Sequence, residues 1–202
     1  MNTTALGELK KHLRPGKMYR RAELAQWSKS VDRHLQVLVH EGSLKKLRTS
    51  LYYCPKQSVF GEVPADDHDL VSTFLKDDRF LLTSPNAYNV LGLGTTQLYN
   101  RRVVYNHKRH GEFVLGGRNY EFRLKHHFPK KNVTEEFLLV DLMNNLNELA
   151  EDQEELRART REKALSMNPA RLKRAVHEYA GASAKKFFAG FLDVHRPVPP
   201  RP

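Results

Sequence analysis

Residues 18–54, MYRRAELAQWSKSVDRHLQVLVHEGSLKKLRTSLYYC, decide the reading of this chain. Ala22, Leu24, Ala25 and Trp27 give a short helix one apolar side, while Arg20, Arg21 and Glu23 stand at its solvent-facing start. That helix ends near Ser28, and Ser30 is placed to cap the next one. Val31, Leu35, Leu38 and Val39 then recur at i, i+4, i+7 and i+8, one stripe of a 3.6-residue period. Lys29, Asp32, Arg33 and Gln36 fall on the opposite side. Gly42 supplies the left-handed residue that stops a helix, and residues 44–48 and 51–53 read as two strands around Thr49 and Ser50. A short helix, a tight turn, a second helix and a basic two-stranded ribbon make a winged helix-turn-helix, which brings duplex DNA forward as the first partner to consider.

A second helix of about 12 residues would be roughly 18 Å long, enough to lie in a major groove and offer three or four side chains to base edges. Arg33 and Gln36 are the expected readers: arginine matches the paired acceptors of guanine, and glutamine the donor and acceptor of adenine. Arg20, Arg21, Lys29, Ser30, Lys45, Lys46 and Arg48 are expected at the DNA backbone, where contacts fix register. Asp32 repels phosphate; contact with a cytosine amino group, a pair with Arg33 or Lys29, and plain solvation are its open alternatives.

Charge is concentrated where this reading needs it. The chain carries 34 Lys and Arg against 23 Asp and Glu, and residues 1–56 hold 12 against 4. Local excess of that kind suits a module that displaces counterions from a polyanion. Acidic lipid fits less well, because the cations are not gathered on one amphipathic helix beside a bulky apolar face. No apolar run approaches 18 residues and the start, MNTTALGELKKHL, lacks the apolar core of a secretion signal, so a cytoplasmic protein with no membrane partner is expected. Cys54 is the only cysteine, which excludes an internal disulfide and a cysteine-based zinc site.

The expected fold class is α+β, with the winged helix-turn-helix at residues 1–58. A mixed α+β domain follows at 59–130, then C-terminal helices at 131–195 packing on it, and a disordered tail, RPVPPRP, at 196–202. A helix opens at Ala65 to Asp67, a strand covers Phe80 to Thr83, and Ser84 and Pro85 start a further helix. Stretches at 103–106, 112–115 and 119–125 form an antiparallel meander broken by HKRHG and GGR. From Thr134 the chain is helical, with residues 134–150 too apolar for a free surface helix.

RRAELAQ, SKSVDRHLQVLVHEGSLKKL and LYYCP, followed by SPNAYNVLGLGTTQ, VVYN and FVLGG, together resemble the AbiEi-like antitoxins of type IV toxin-antitoxin systems over roughly residues 5–150. The resemblance implies an autoregulator that binds inverted repeats upstream of its own operon. It also implies a functional partner, a toxin of nucleotidyltransferase fold, counteracted generally without a stable complex. One departure lies in the ribbon turn, where relatives tend to have Arg then Gly and this chain has Arg48, Thr49, Ser50. A stand-alone transcription factor is the alternative. No cofactor, metal or catalytic residue is expected.

Other apparent sites have plainer readings. LGLGTT has glycines at 92 and 94 but lacks the Lys and the strand-to-helix context of a phosphate loop. His107, His110, Glu112 and Glu121 could serve a nuclease, but HKRHG reads more simply as a solvated hairpin turn. Arg101, Arg102, Lys108 and Arg109 form a possible second nucleic-acid surface. Tyr99, Tyr105, Tyr120 and Phe122 could stack bases there, although alternation usually buries such rings. A single small module buries only about 600–1,000 Å² on DNA, so two copies on an inverted repeat, as a homodimer or cooperatively, are expected.

Overall fold

The computed structural model describes residues 5–95, 97–130 and 132–192. In chain order these form α1 (Ala5–His12), β1 (Met18–Arg20), α2 (Arg21–Leu24), α3 (Val31–His40), β2 (Lys45–Arg48), β3 (Leu51–Tyr53), β4 (Lys56–Ser58), β5 (Gly61–Val63), α4 (Asp67–Leu75), β6 (Phe80–Thr83), β7 (Arg102–Asn106), β8 (Gly111–Leu115), β9 (Arg118–Leu124), α5 (Glu135–Asn144), α6 (Gln153–Ser166), α7 (Pro169–Tyr179) and α8 (Ala182–Leu192), with 3-10 helices at Ala25–Trp27, Pro85–Leu91 and Leu146–Glu148. The fold is mixed α and β with antiparallel strand pairing. The expected tail lies outside the described residues, as does Thr96 of the LGLGTT stretch.

The chain divides into two compact units, residues 1–80 with 108–124, and residues 81–107 with 125–202. The boundaries expected after residues 58 and 130 do not appear as breaks. The first unit runs on through α4, and the β8–β9 hairpin returns to it. All three chain crossings, after residues 80, 107 and 124, fall in strand-rich sequence, where no Pro or Gly linker marks them.

In the first unit β3 is the centre of a three-stranded antiparallel sheet in the order β1-β3-β2. Leu9, Tyr19, Leu24, Val31, Leu35, Leu38, Leu44, Tyr52 and Cys54 make one buried cluster under α1, α2 and α3. The stripe expected on α3 is buried except for its last member, Val39, which is 37% exposed. At about 100° per residue Val39 lies about 80° round from Val31, at the edge of the apolar face. Gly42, at φ 79°, follows the end of α3 as expected. Lys10 of α1 pairs with Glu41 at 2.8 Å, tying the first helix to the end of α3.

The rest of this unit rests on α4. Asp66 caps it, its carboxylate accepting from Asp69 N at 3.0 Å. Phe74 meets Phe113 and Phe122 of the β8–β9 hairpin at ring separations of 5.2 and 5.3 Å. That hairpin pairs Leu115 with Arg118 across Gly116 and Gly117, both at positive φ, the two-residue turn whose twist matches flanking strands. Gly116 N donates to Leu47 O at 3.2 Å, joining the hairpin to β2.

The second unit is built round α5, whose residues Phe137 to Met143 are all buried. Thr134 caps it, accepting from Phe137 N at 3.2 Å. The helical run expected over 134–150 breaks at Asn145 into a 3-10 turn. Phe188 and Phe191 of α8 join the same core, with Phe187 packed against it. Inside it, Tyr88 and Tyr105 donate to the carboxylate of Asp141, which is 1% exposed, and Lys125 Nζ lies 2.8 Å from Asp141 Oδ1. Asn145 Nδ2 donates to both tyrosine hydroxyls at 3.0 and 3.1 Å. A buried carboxylate is tolerable only with such complete satisfaction.

Glycine 92, at φ 67°, ends the 3-10 helix, and Gly94, at φ 73°, lies beneath the guanidinium of Arg159. A methyl group on Gly94 would come within 1.7 Å of Arg159 Nη1, which donates to Leu93 O at 3.0 Å. The glycines of LGLG therefore have a conformational and packing cause within this unit.

Candidate nucleic-acid interface

On α3 the side chains of Arg33, Gln36, Val37 and His40 are exposed. They stand at i, i+3, i+4 and i+7, which is one face of a helix, opposite the stripe of Val31, Leu35 and Leu38. The side chains of Arg33 and Gln36 have no hydrogen-bond or ion-pair partner among the described residues, and the same holds for the side chains of Lys29 before α3 and Lys46 on β2. The sequence reading missed Val37 and His40; extending the exposed stripe by one turn finds them. Val37 adds an exposed apolar side chain to this face.

Ser30 occupies the cap position of α3, but its side chain makes no capping bond. Ser28 performs the local work instead: its Oγ accepts from Ser30 N at 3.2 Å and lies 2.8 Å from His34 Nδ1. Ser28 is buried and Ser30 is exposed, so the expectation of a capping Ser30 is corrected, although its hydroxyl still faces solvent.

Asp32 pairs with Arg21, not with Arg33 or Lys29. Arg21 Nε and Nη2 approach the two carboxylate oxygens at 2.6 and 2.5 Å, a bidentate fork. The hydrogen bonds from Arg21 hold the Asp32 carboxyl below the usual carboxylate range, and raise the arginine in turn. The fork compensates the acidic side chain in the first turn of α3 and engages Arg21, which was expected at the DNA backbone.

Arg20 is the clearest correction among the expected backbone contacts. Its guanidinium donates to Thr73 O and to Phe74 O, the latter at 2.8 Å, at the C-terminal turn of α4. Burial pushes its pKa down, with the nearby Arg109 charge acting in the same direction. It serves the negative end of a helix, where unpaired carbonyls attract a cation. Lys45 pairs with Glu62 of β5 at 2.6 Å while remaining exposed. Arg48 is half-buried, its guanidinium carbon 5.2 Å from the Phe74 ring centroid and 4.9 Å from that of Phe113.

The ribbon turn resolves the missing glycine. Strands β2 and β3 pair Lys46 with Tyr52 and Arg48 with Leu51, with a bulge between Lys46 and Arg48, and Ser50 itself takes φ 62°. Its carbonyl accepts from Arg21 N at 3.0 Å, which fixes the turn against the start of α2.

The residues expected to form a second surface, Arg101, Arg102, Lys108 and Arg109, are divided between the two units. Arg101 and Arg102 belong to the second unit, and Lys108 and Arg109 to the first. Arg101 pairs with Glu148 at 2.8 Å, and Arg102 is half-buried at the start of β7. Lys108 donates to Lys76 O at 2.9 Å and pairs with Asp77 at 3.0 Å, another partner for the end of α4. Tyr105, Tyr120 and Phe122 are each no more than 1% exposed, so they form core, as alternation along strands dictates, and offer no stacking platform.

Of the residues weighed for a nuclease, Glu121 is bonded to Arg123 at 2.5 Å, and His107 stacks on Phe128 at 4.9 Å. His107 and His110 fall in different units. Among the described residues no group of three His, Cys, Asp or Glu side chains could hold a metal ion, and no helix is long and apolar enough to cross a membrane. No family model matches this chain, and neither a curated protein nor a solved structure shows significant similarity to it.

Proposed function

We propose that the protein is a DNA-binding transcriptional autoregulator. In this reading residues 18–54 are a winged helix-turn-helix, α3 is its recognition helix and the β2–β3 ribbon its wing. One observation carries it: the side chains of Arg33 and Gln36 stand on one exposed face of α3 without partners among the described residues, and those of Lys29 before the helix and Lys46 on β2 are equally unengaged there. Long polar side chains left free on the face opposite a helix's buried stripe suit base-edge readout, and free lysines suit phosphate. At ten residues, α3 is about 15 Å long, sufficient to enter a major groove. Two copies on an inverted repeat supply the buried area that specific binding needs.

The narrower role, antitoxin of an operon that also encodes a nucleotidyltransferase toxin, rests on the resemblance carried by residues 5–150. A soluble cytoplasmic location accords with both. Binding of the full chain to its own upstream DNA, followed by footprinting, tests the regulator: protection of two half-sites about one helical turn apart, or a multiple of it, is expected. Rescue of growth on co-expression with the adjacent gene product tests the antitoxin. Rescue that survives loss of DNA binding would place antitoxicity outside the winged module.

A further inference from the structure

The β4–β5 hairpin turns on two apolar residues. Val59 and Phe60 are 94% and 98% exposed, the most exposed large apolar side chains among the described residues. Turn positions ordinarily go to Gly, Pro, Asn, Asp or Ser, so an aliphatic and an aromatic side chain placed there break a local rule. The tip is held in place: Ser58 Oγ accepts from Phe60 N at 3.3 Å and donates to Gly61 O at 2.8 Å. Through β5 the hairpin is tied to the rest of the first unit, Glu62 pairing with Lys45 at 2.6 Å and Val63 O accepting from the Tyr53 hydroxyl at 2.8 Å. The β4 strand is the open edge of this two-stranded sheet, and Lys56, Gln57 and Ser58 are all exposed. Three-residue strands in a lone pair are marginally stable in water, and an open edge is a template for another strand.

The register fixes what that edge can take. Ser58 and Gly61 pair across the two-residue turn and exchange hydrogen bonds, so alternation directs the N–H and C=O of Gln57 away from β5. Gln57 makes no hydrogen bond outside the hairpin among the described residues. We propose that β4 pairs antiparallel with β4 of a second copy of this chain, about a two-fold axis at Gln57. The two Gln57 residues then exchange N–H···O=C bonds, and a four-stranded sheet closes both open edges. In that register Lys56 faces Ser58 of the second copy, which keeps like charges from meeting, and Val59 comes beside Pro55. The apolar tip therefore reaches the base of the other hairpin. That base carries a cleft of about 660 Å³, lined by Pro15, Met18, Val63 and Pro64 together with charged side chains of both signs, Lys56 and Asp69 among them. Knob and cleft lie on one chain, so a two-fold axis uses each twice, as an isologous interface requires. Besides the strand edge the contact buries two phenylalanines, at about 150–250 Å² each, and two valines, which makes the dimer a small and weak one.

The pairing needs no DNA and is measured without it, so it is independent of the DNA-binding reading. Sedimentation velocity of the full chain from low to high micromolar concentration should show a reversible monomer–dimer equilibrium. Val59→Ser combined with Phe60→Ser removes the knob and should leave monomer at concentrations where the unaltered chain is mostly dimer. Gln57→Pro removes an outward N–H that the hairpin itself does not use. It should weaken dimerisation about tenfold or more, because both symmetry-related hydrogen bonds are lost. Melting temperatures at low concentration, where every variant is monomeric, should be unchanged, which excludes a folding defect as the cause. A photoreactive phenylalanine analogue at position 60 should cross-link to Pro15, Met18 or Pro64 of the other copy. A chain that stays monomeric throughout, a dimer that survives both variants, or cross-links to another surface would each overturn the pairing. If the tip variant instead binds duplex DNA more weakly while self-association is unchanged, the tip belongs to DNA and the pairing is wrong. If the dimer forms as described and no duplex is bound, the pairing stands and the DNA-binding reading falls.

Discussion

The guanidinium of Arg21 grips both carboxylate oxygens of Asp32, at 2.6 and 2.5 Å, from the start of α2 to the first turn of α3. The pair spans the two helices that would straddle a DNA strand. It silences the one acidic side chain among the predicted contacts, and it occupies a cation that otherwise would meet phosphate. Asp32→Ala is therefore expected to free Arg21, to tighten binding to random duplex several-fold, and to steepen the salt slope by about one. Anisotropy titrations measure both. Weaker binding, confined to one operator base pair, would instead assign Asp32 to a cytosine amino group.

Ser50 adopts φ 62° at the ribbon turn, a conformation that side chains with a Cβ disfavour by roughly 1–2 kcal/mol and glycine does not. Ser50→Gly should stabilise the protein by about 0.5–1 kcal/mol, after allowing for the extra freedom glycine gives the unfolded chain. Thermal or urea denaturation reads this directly. A destabilised variant would show that the hydroxyl contributes more than the backbone strain costs.

Asp141 is the polar pivot of the second unit's core, held by Tyr88, Tyr105 and Lys125. Asp141→Leu should cost about 3–5 kcal/mol, because it strands the Lys125 charge and two tyrosine hydroxyls. Tyr105→Phe removes one donor and should cost about 1 kcal/mol. Equal, small losses in chemical denaturation would show that water replaces the carboxylate.

Alkaline pH should destabilise the fold through tyrosines. Burial pushes Tyr88 well above its ordinary value, reinforced by the Asp141 charge. Burial, with the adjacent Glu178, pushes Tyr179 up to about 12. Burial also raises Tyr19 and Tyr52. A group whose pKa is raised on folding contributes stability fully below its unfolded value, about 10 for tyrosine, and loses it as pH climbs through the folded value. The denaturation midpoint should therefore fall across roughly pH 10–12, with phenolate absorbance rising together with unfolding. Full ionisation while the protein remains folded would contradict this.

The elements legible in the sequence are those carried by local pattern. The Val31, Leu35, Leu38 stripe with Gly42, and the helix starts read at Ala65 to Asp67 and at Thr134, placed α3 and the beginnings of α4 and α5 within a residue or two, whereas α5 stops at Asn144, well short of residue 150. The alternation before and after the glycine pair gave β8 and β9. Short segments without a pattern were not legible: β1 has three residues, and β4 and β5 have three each. The unit boundary was invisible because it is set by which strands return to which core, a long-range outcome.

At the candidate site, exposure of Arg33, Gln36, Lys29 and Lys46 followed from the helix period and charge. The roles of Arg20, Arg21 and Arg109 did not. Each depends on a group more than ten positions away: the α4 carbonyls for Arg20, Asp32 for Arg21, and Phe74 for Arg109. The sign and spacing of a charge show that it is available, and only the fold shows what claims it.

The most direct test of the central claim compares Arg33→Ala with Lys46→Ala on operator and random duplexes over a range of salt. Three phosphate contacts per bound copy, from Lys29, Lys46 and Arg48, give the unaltered protein a slope of log K against log salt of roughly −2.5 to −3. Arg33→Ala should lose about 1–3 kcal/mol on the operator alone, and Lys46→Ala should weaken both duplexes alike while flattening the slope by about one. A slope near zero, with neither substitution changing binding to either duplex, would contradict the account.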